Sequence, residues 1–495
     1  MPKIIKIKDN IVTIKGSSKY KLYQNFKLEE GVNGFVLYAE QDIARLLATG
    51  DTTKLKINSI VSEISSDSKV EVYEEYFGNV IDPFGNILFP GKKNVPKTAK
   101  PIGTSSIFNK PPSILDRVKL SEPLDTGMLS IDTMIPIGRG QRELIIGDRQ
   151  TGKSTIAINT IINQPSDIKT IYINIGQKRS NVINLVEILE KNNSLKNTII
   201  IYASPSSPAQ QFMSPMIGMA MAESIAYKGQ DVLVIIDDLT KHANIYREIS
   251  LSLERSPGRE AYPTDIFYQH SRLLERAGRF TKEKYNGGSI TCLPIVETIQ
   301  EDIASLIPSN IISITDGQIF TSVDLFNNGV FPSINIQKSV SRTGSSIQSN
   351  EIREISKGLK GQHAKFEEIK KFSNMAIDIT KELKEKIKQG ENLSKILIQY
   401  GNLGYSRKEI SILVYLYKNS QLKSISDMNK FSKIFPIFMK SDPIAKYLLQ
   451  KLKSSDLKEE YIKEIISPLI ASINGDYSVI SKEEIKKWLE VNNDR

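Results

Sequence analysis

The sequence predicts a multidomain chain: a small β domain, a central α/β domain built on a parallel sheet, and a C-terminal α-helical domain. Three observations predict it. Residues 3 to about 71 carry short period-two stretches separated by turn residues. Between about 120 and 344, strand-like apolar runs alternate with helical ones, as in a sheet covered by helices on both faces. Beyond Gln348 the apolar spacing changes to that of a helix face. The boundaries expected are 1–72, 73–348 and 349–495, since 495 residues exceed one ordinary core.

The period-two stretches of the first domain fall at 3–8, 11–15, 34–39 and 54–60. A turn is marked further on by Pro83 and Gly85-Asn86. Segment 89–112 holds five prolines among lysines and is expected to run extended over the surface as a connector outside the core. Strands of the central domain are expected at 143–146, 170–175, 198–202, 232–236 and 311–315. In the last domain, Phe372, Met375, Ala376, Ile379, Leu383 and Ile387 share one helix face with Gly390 as its stop. Asp442-Pro443 and the capping box Ser481-Lys482-Glu483-Glu484 mark further helix starts, and the charged run 381–388 reads as a solvated face.

Composition narrows the class. The chain is 40% hydrophobic, and its single cysteine, Cys292, forms no internal disulfide and suits a reducing, intracellular compartment. Residues 3–8 alternate lysine with isoleucine, unlike a signal peptide, and the apolar runs fall short of the about 20 residues a bilayer span needs. The net charge of +10 is spread along the chain, as on a solvated lysine-rich surface and not a nucleic-acid tract. The three histidines, His242, His270 and His363, lack metal-ligand spacing and are expected to be structural.

Gly147-Asp148-Arg149-Gln150-Thr151-Gly152-Lys153-Ser154-Thr155 satisfies G-x-x-x-x-G-K-[ST] directly after the apolar run 143–146, and an apolar helical stretch follows it. A strand feeding such a loop and a helix leaving it aim backbone N–H groups and a helix N-terminus at one anion. Lys153 then reaches the terminal phosphates and the Ser154 hydroxyl takes magnesium. The strand 232–236 ends in Asp237-Asp238, and Asp237 is expected to hold magnesium through its water shell. After the strand 170–175, where a hydrolase of this architecture places a carboxylate to activate water, stands Gln177. A neutral amide takes no proton near neutral pH, so the site is expected to hold nucleotide and hydrolyse it poorly.

Six motifs in order carry a resemblance: Pro136-Ile137-Gly138-Arg139-Gly140-Gln141-Arg142-Glu143-Leu144, the phosphate loop, Ile175-Gly176-Gln177-Lys178-Arg179-Ser180, Pro257-Gly258-Arg259-Glu260-Ala261-Tyr262-Pro263, His270-Ser271-Arg272-Leu273-Leu274-Glu275-Arg276, and Ile312-Ser313-Ile314-Thr315-Asp316-Gly317-Gln318-Ile319-Phe320. Together they resemble the alpha subunit of F-type ATP synthases, over nearly the whole chain. The resemblance implies an N-terminal β-barrel, a RecA-like P-loop nucleotide domain and a helical base. It implies ATP or ADP with Mg2+ at a non-catalytic site and a ring alternating with catalytic beta-type subunits around a gamma-type central stalk. No direct nucleic-acid partner is implied. The membrane is met only through the complex, on its cytoplasmic face. It also implies that Arg342, in Ser339-Val340-Ser341-Arg342-Thr343-Gly344-Ser345, enters the neighbouring beta site, where a fixed guanidinium is worth about 10³ to 10⁵ in rate.

Departures from the family pattern qualify this. Lys3 already begins a strand where the family has a helical extension, so the usual peripheral-stalk contact is not expected. Around the base, Phe326 matches the family, Phe331 stands in place of an arginine, and Asn402 and Gly404 stand in place of a glutamine pair. Losing a cation and two amides predicts weaker or less base-selective nucleotide retention. These losses also fit an alpha-like subunit of a specialised F-type-like ATPase driving motility or other work. A reading of another class is a Rho-like hexameric nucleic-acid translocase, against which stand Gln177 and the lack of a stacking motif among Tyr20, Tyr23, Phe26, Phe35 and Tyr38.

Overall fold

The structure, a computed structural model, describes residues 2–16, 19–65, 68–91, 95–96, 98–373, 381–401, 404–451 and 459–493. The chain forms two compact units, each drawn from three stretches: Met1–Leu120, Arg139–Ile146 and Pro165–Asp316 in one, Ser121–Gly138, Gly147–Gln164 and Gly317–Arg495 in the other.

The first unit begins with a six-stranded sheet in the spatial order Lys3–Lys8, Ile11–Lys15, Ile43–Ala48, Val32–Glu40, Asn25–Glu29, Ser62–Ser65. All neighbours are antiparallel. Alternation puts Ile4, Val12, Ile14, Phe26, Leu28, Val36 and Leu46 into one core. The Ile4 N–H donates to the Ser59 carbonyl and the Val61 N–H to the Pro2 carbonyl, both at 3.0 Å, which curls the sheet into a half-barrel. The strand expected at 54–60 is not formed: Thr52–Lys54 is a 3₁₀ turn, and Ile57 and Ile60 are exposed. Its backbone bonds instead to the edge of the first strand, Asn58 N–H to Ile4 carbonyl at 2.8 Å, which alternation alone does not foretell.

The α/β part of this unit places Leu144–Gly147, Ser289–Glu297, Asp231–Asp237, Lys169–Ile175, Thr198–Ala203 and Val80–Ile81 side by side. From Ser289–Glu297 onward the pairs are parallel. Ser289–Glu297, central and almost wholly buried, escaped the sequence reading because Pro294 argues against an inner strand. The strand expected at 311–315 is a correction of the opposite kind. Leu306–Ile314 is a helix with Pro308 in its first turn, and the strand follows at Gly317–Thr321. A short apolar run cannot choose between buried helix and buried strand by period alone.

The connector 89–112 was expected outside the core, and part of it lies inside. Gly103–Ser106 pairs antiparallel with Lys69–Val72, and a Cβ on Gly103 would sit 2.4 Å from the Ser224 carbonyl in the buried helix Pro208–Ala226. Ser105 Oγ donates to Glu223 Oε2 at 2.8 Å. The same carboxylate receives Nε and Nη2 of buried Arg276, each at 2.7 Å, so a fork of charge-assisted bonds closes this side.

In the second unit, Pro123–Leu124 pairs with Ile137–Gly138 and Gly317–Thr321 with Val340–Ser341, all antiparallel. Among the described residues, helices make up most of the rest. Gly390 does not stop one of them; it lies inside Lys381–Ile396, where a Cβ would meet the Phe366 ring at 2.0 Å, so glycine permits the close approach of Leu359–Ser373. Of the helix face expected there, Met375, Ala376 and Ile379 lie outside the described residues. Asp442 Oδ1 accepts from Ala445 N–H at 2.8 Å, and Ser481 and Glu484 form their reciprocal cap ahead of Lys482–Asn493. Phe431 and Phe435, fully buried with ring centroids 5.4 Å apart, anchor this layer.

Candidate functional site

Leu144–Gly147 runs directly into the phosphate loop and the helix Lys153–Ile162 leaves it. Gly147 is required by close approach: a Cβ there would lie 2.1 Å from Thr321 Oγ1. Gly152, at φ +83°, takes the left-handed turn that starts the helix. Thr151 Oγ1 donates to the Asp148 carbonyl at 2.8 Å and touches Thr321 Oγ1 at 2.6 Å, while Ser333 Oγ donates to the Thr151 carbonyl at 2.5 Å. The loop is thereby held in shape by its own hydroxyls. Lys153, buried, folds back so that its ammonium donates to the Asp148 carbonyl. Ser154 is half-buried and Arg149, Gln150 and Thr155 are exposed. First-turn N–H groups of a ten-residue helix, together with a lysine over the loop, suit a polyphosphate.

From this loop a cavity of about 280 Å³ extends along the helix. Phe326 and Phe331 form one wall, their rings edge to face with centroids 5.3 Å apart. Tyr400, which sequence reasoning missed, also lines it. So does Gln399, whose Oε1 accepts from the Leu129 N–H at 2.7 Å and whose Nε2 donates to the Gly127 carbonyl at 2.9 Å. The Gln399 N–H in turn donates to the Phe331 carbonyl at 2.7 Å. Gly404, read from sequence as a lost amide, has the Asn163 carboxamide where its Cβ would stand, at 2.0 Å, and Gly127 makes room for the same group. Asn402 lies outside the described residues. An apolar slot with two or three rings and a few amides suits a planar base and its sugar.

In the first unit, Gln177 is half-buried, two residues beyond the strand Lys169–Ile175. Asp237 ends the strand Asp231–Asp237, opposite Asn174 in register, and its Oδ2 accepts from the Tyr172 hydroxyl at 2.6 Å. Asp238 caps the helix Leu239–Ser252 by accepting from the Lys241 N–H at 2.7 Å; burial pushes its carboxyl up to about 6. The two acids thus divide the work of a metal-binding candidate and a helix cap. Arg342 follows the strand Val340–Ser341 in the second unit and is exposed, outside the cavity lining.

All three histidines lie on helices. His242 Nδ1 and His270 Nε2 are 3.5 Å apart, and burial holds the rings down at about 4 and about 3, so both are neutral at working pH. Cys292 is buried with its thiol pushed up to about 12, which makes it core and not a nucleophile. Among the described residues no cluster of three or more His, Cys, Asp or Glu is placed to hold a metal alone. Magnesium on a nucleotide does not need one, because it keeps waters and phosphates as ligands and takes one or two hard oxygen donors from protein. No described helix is long and apolar enough to cross a membrane.

Comparison with known proteins agrees with this geometry. The nucleotide-binding domain of the ATP synthase alpha/beta family matches residues 127–341, and the C-terminal domain of its chains matches 348–472. Over 412 residues the chain is 43% identical to "ATP synthase subunit alpha 2" of Mycoplasmopsis pulmonis, covering 83% of this chain and 80% of that protein. Over 502 residues it is 40% identical to "ATP synthase subunit alpha" of Buchnera aphidicola subsp. Acyrthosiphon pisum, covering 98% of this chain and 93% of that protein. A phosphate loop between strand and helix, a base slot beyond it and likeness along nearly the whole length lead to one assignment: the chain belongs to the ATP synthase alpha/beta family.

Proposed function

We propose that this chain is the non-catalytic, nucleotide-binding alpha-type subunit of an F-type rotary ATPase or ATP synthase. ATP or ADP lies with its phosphates on Gly147–Thr155 and its base against Phe326 and Phe331. The same proposal gives the Ser154 hydroxyl to Mg2+ and Asp237 to the water shell of the ion. Magnesium there neutralises phosphate charge; the chain's own residues bind and orient the nucleotide. In a ring alternating with beta-type subunits around a central stalk, Arg342 reaches the neighbouring catalytic site, and the ring meets a membrane only through its complex. The names of the relatives support the alpha reading over the beta one.

The observation that carries the non-catalytic role is Gln177 at the carboxyl end of its strand, where a base for water would stand. The amide holds a water by hydrogen bonds but accepts no proton from it. The purified chain should therefore bind ATP and turn it over negligibly, while Gln177→Glu should raise single-site hydrolysis measurably. Brisk multiple-turnover hydrolysis by the unaltered chain alone would overturn the reading. In the reconstituted ring, Arg342→Ala should lower steady turnover by about 10³-fold or more while this subunit keeps its own nucleotide. Unchanged turnover would remove the role of Arg342.

A further inference from the structure

Resting on the nucleotide site proposed above, we propose that Asn159 is the residue that selects the base, reading the N6–N7 edge of adenine. Three of the polar side chains along the cavity are engaged with the protein itself. Both ends of the Gln399 amide serve backbone groups of Gly127 and Leu129. Ser333 Oγ serves the Thr151 carbonyl, and Asn163 Nδ2 donates to the Asn159 carbonyl at 2.7 Å. Asn159 lines the same cavity two turns into the helix Lys153–Ile162. Among the described lining residues, it alone has a buried side-chain polar atom, Oδ1, without a hydrogen-bond partner.

A buried amide oxygen left unmade is costly, and a ligand that supplies a donor removes that cost. The terminal torsion of asparagine is broad and two-fold, so rotation about it presents the amide edge towards the cavity without leaving a favoured conformation. An amide offers one acceptor and one donor side by side. Adenine offers the complement, a 6-amino donor beside the N7 acceptor, the pairing asparagine makes with this base elsewhere. A 6-oxo purine offers two acceptors on that edge. It can satisfy Nδ2 but leaves Oδ1 orphaned, so it should be refused. The phenyl edge-to-face pair Phe326 and Phe331 holds the face of the base while Asn159 reads its rim. Asn159 thus supplies a readout in place of the glutamine pair whose positions are taken by Asn402 and Gly404.

Calorimetric titration of the full chain, with Mg2+, distinguishes the possibilities using ATP, ITP, 7-deaza-ATP and inorganic tripolyphosphate. The unaltered chain should prefer ATP to ITP by about tenfold or more and to 7-deaza-ATP by several-fold. Asn159→Leu should bring ATP and ITP within about twofold of each other while tripolyphosphate binding stays as it was. Asn159→Asp, which keeps an acceptor and loses the donor, should retain the preference over ITP and lose the sensitivity to N7. Equal, tight binding of ATP and ITP by the unaltered chain overturns this assignment and leaves the nucleotide site standing. Unchanged ATP preference in Asn159→Leu overturns it as well. Failure of every triphosphate to bind, tripolyphosphate included, would instead overturn the nucleotide-site reading and this assignment with it.

Discussion

The two ends of the cavity, proposed above for the phosphates and for the base, are built in different ways. The phosphate end is one contiguous stretch, Gly147–Thr155, whose chemistry lies mainly in its backbone: left-handed Gly152, the first-turn N–H groups, and a glycine at 147 pressed against Thr321. The other end is assembled from side chains scattered over the second unit, at 159, 163, 326, 331, 399 and 400, with Gly127 leaving room among them. A backbone site tolerates little variation, since another residue at 147 would collide with Thr321. A side-chain site can be rebuilt piece by piece, and here Phe331 and the Asn163 amide occupy places read from sequence as losses. Affinity should therefore come from the first end and selectivity from the second.

The largest effect expected from breaking this division is at Lys153. On the proposed reading Lys153→Ala removes a charge-assisted contact to phosphate, and it should weaken ATP binding about 10- to 100-fold, leaving adenosine binding unchanged. An equal loss for adenosine, measured by the same titration, would mean that the two ends are not separable. Next in size is Gln399→Ala, which strips partners from the buried Leu129 N–H and Gly127 carbonyl. It should destabilise the chain by about 1–3 kcal/mol in urea unfolding followed by circular dichroism. A change within error would show that the base end is not braced from behind by this amide.

The smallest effect at any one step is a slope with pH. Asp132 accepts from the Thr126 N–H and hydroxyl and from the Gly127 N–H, at the back of the base end. Burial, reinforced by Asp125, nonetheless pushes its carboxyl up to about 7. A raised acid binds its proton more tightly when folded, so its contribution is fully present below the ordinary carboxyl range and is lost as pH rises towards about 7. Over that window Asp132 should make stability fall with pH by at most about 1.4 kcal/mol per unit. Asp132→Asn should remove that part of the slope. Parallel pH–stability curves for the two proteins would show that Asp132 ionises freely in the fold.

The phosphate loop, the carboxylate at 237, the glutamine at 177 and the order β domain, α/β domain, helical domain were legible in the amino-acid sequence. Each rests on local rules: a fixed spacing around two glycines, an apolar run ending in an acid, a change in apolar period. The central strand Ser289–Glu297, the partly buried strand Gly103–Ser106, the helix Leu306–Ile314 and the burial of Gly390 within its helix were not. Their state depends on which surface arrives from elsewhere: one proline without an N–H is tolerated in a strand whose other residues are paired by neighbours on both sides, and a glycine marks an end or a crossing according to whether Phe366 lies against it. The same holds for the base slot. Sequence alone determined the phosphate-loop pattern, because it is written in consecutive residues; the tertiary structure decided what lines the slot proposed for the base, because Asn159, Phe331 and Gln399 meet only when the chain has folded.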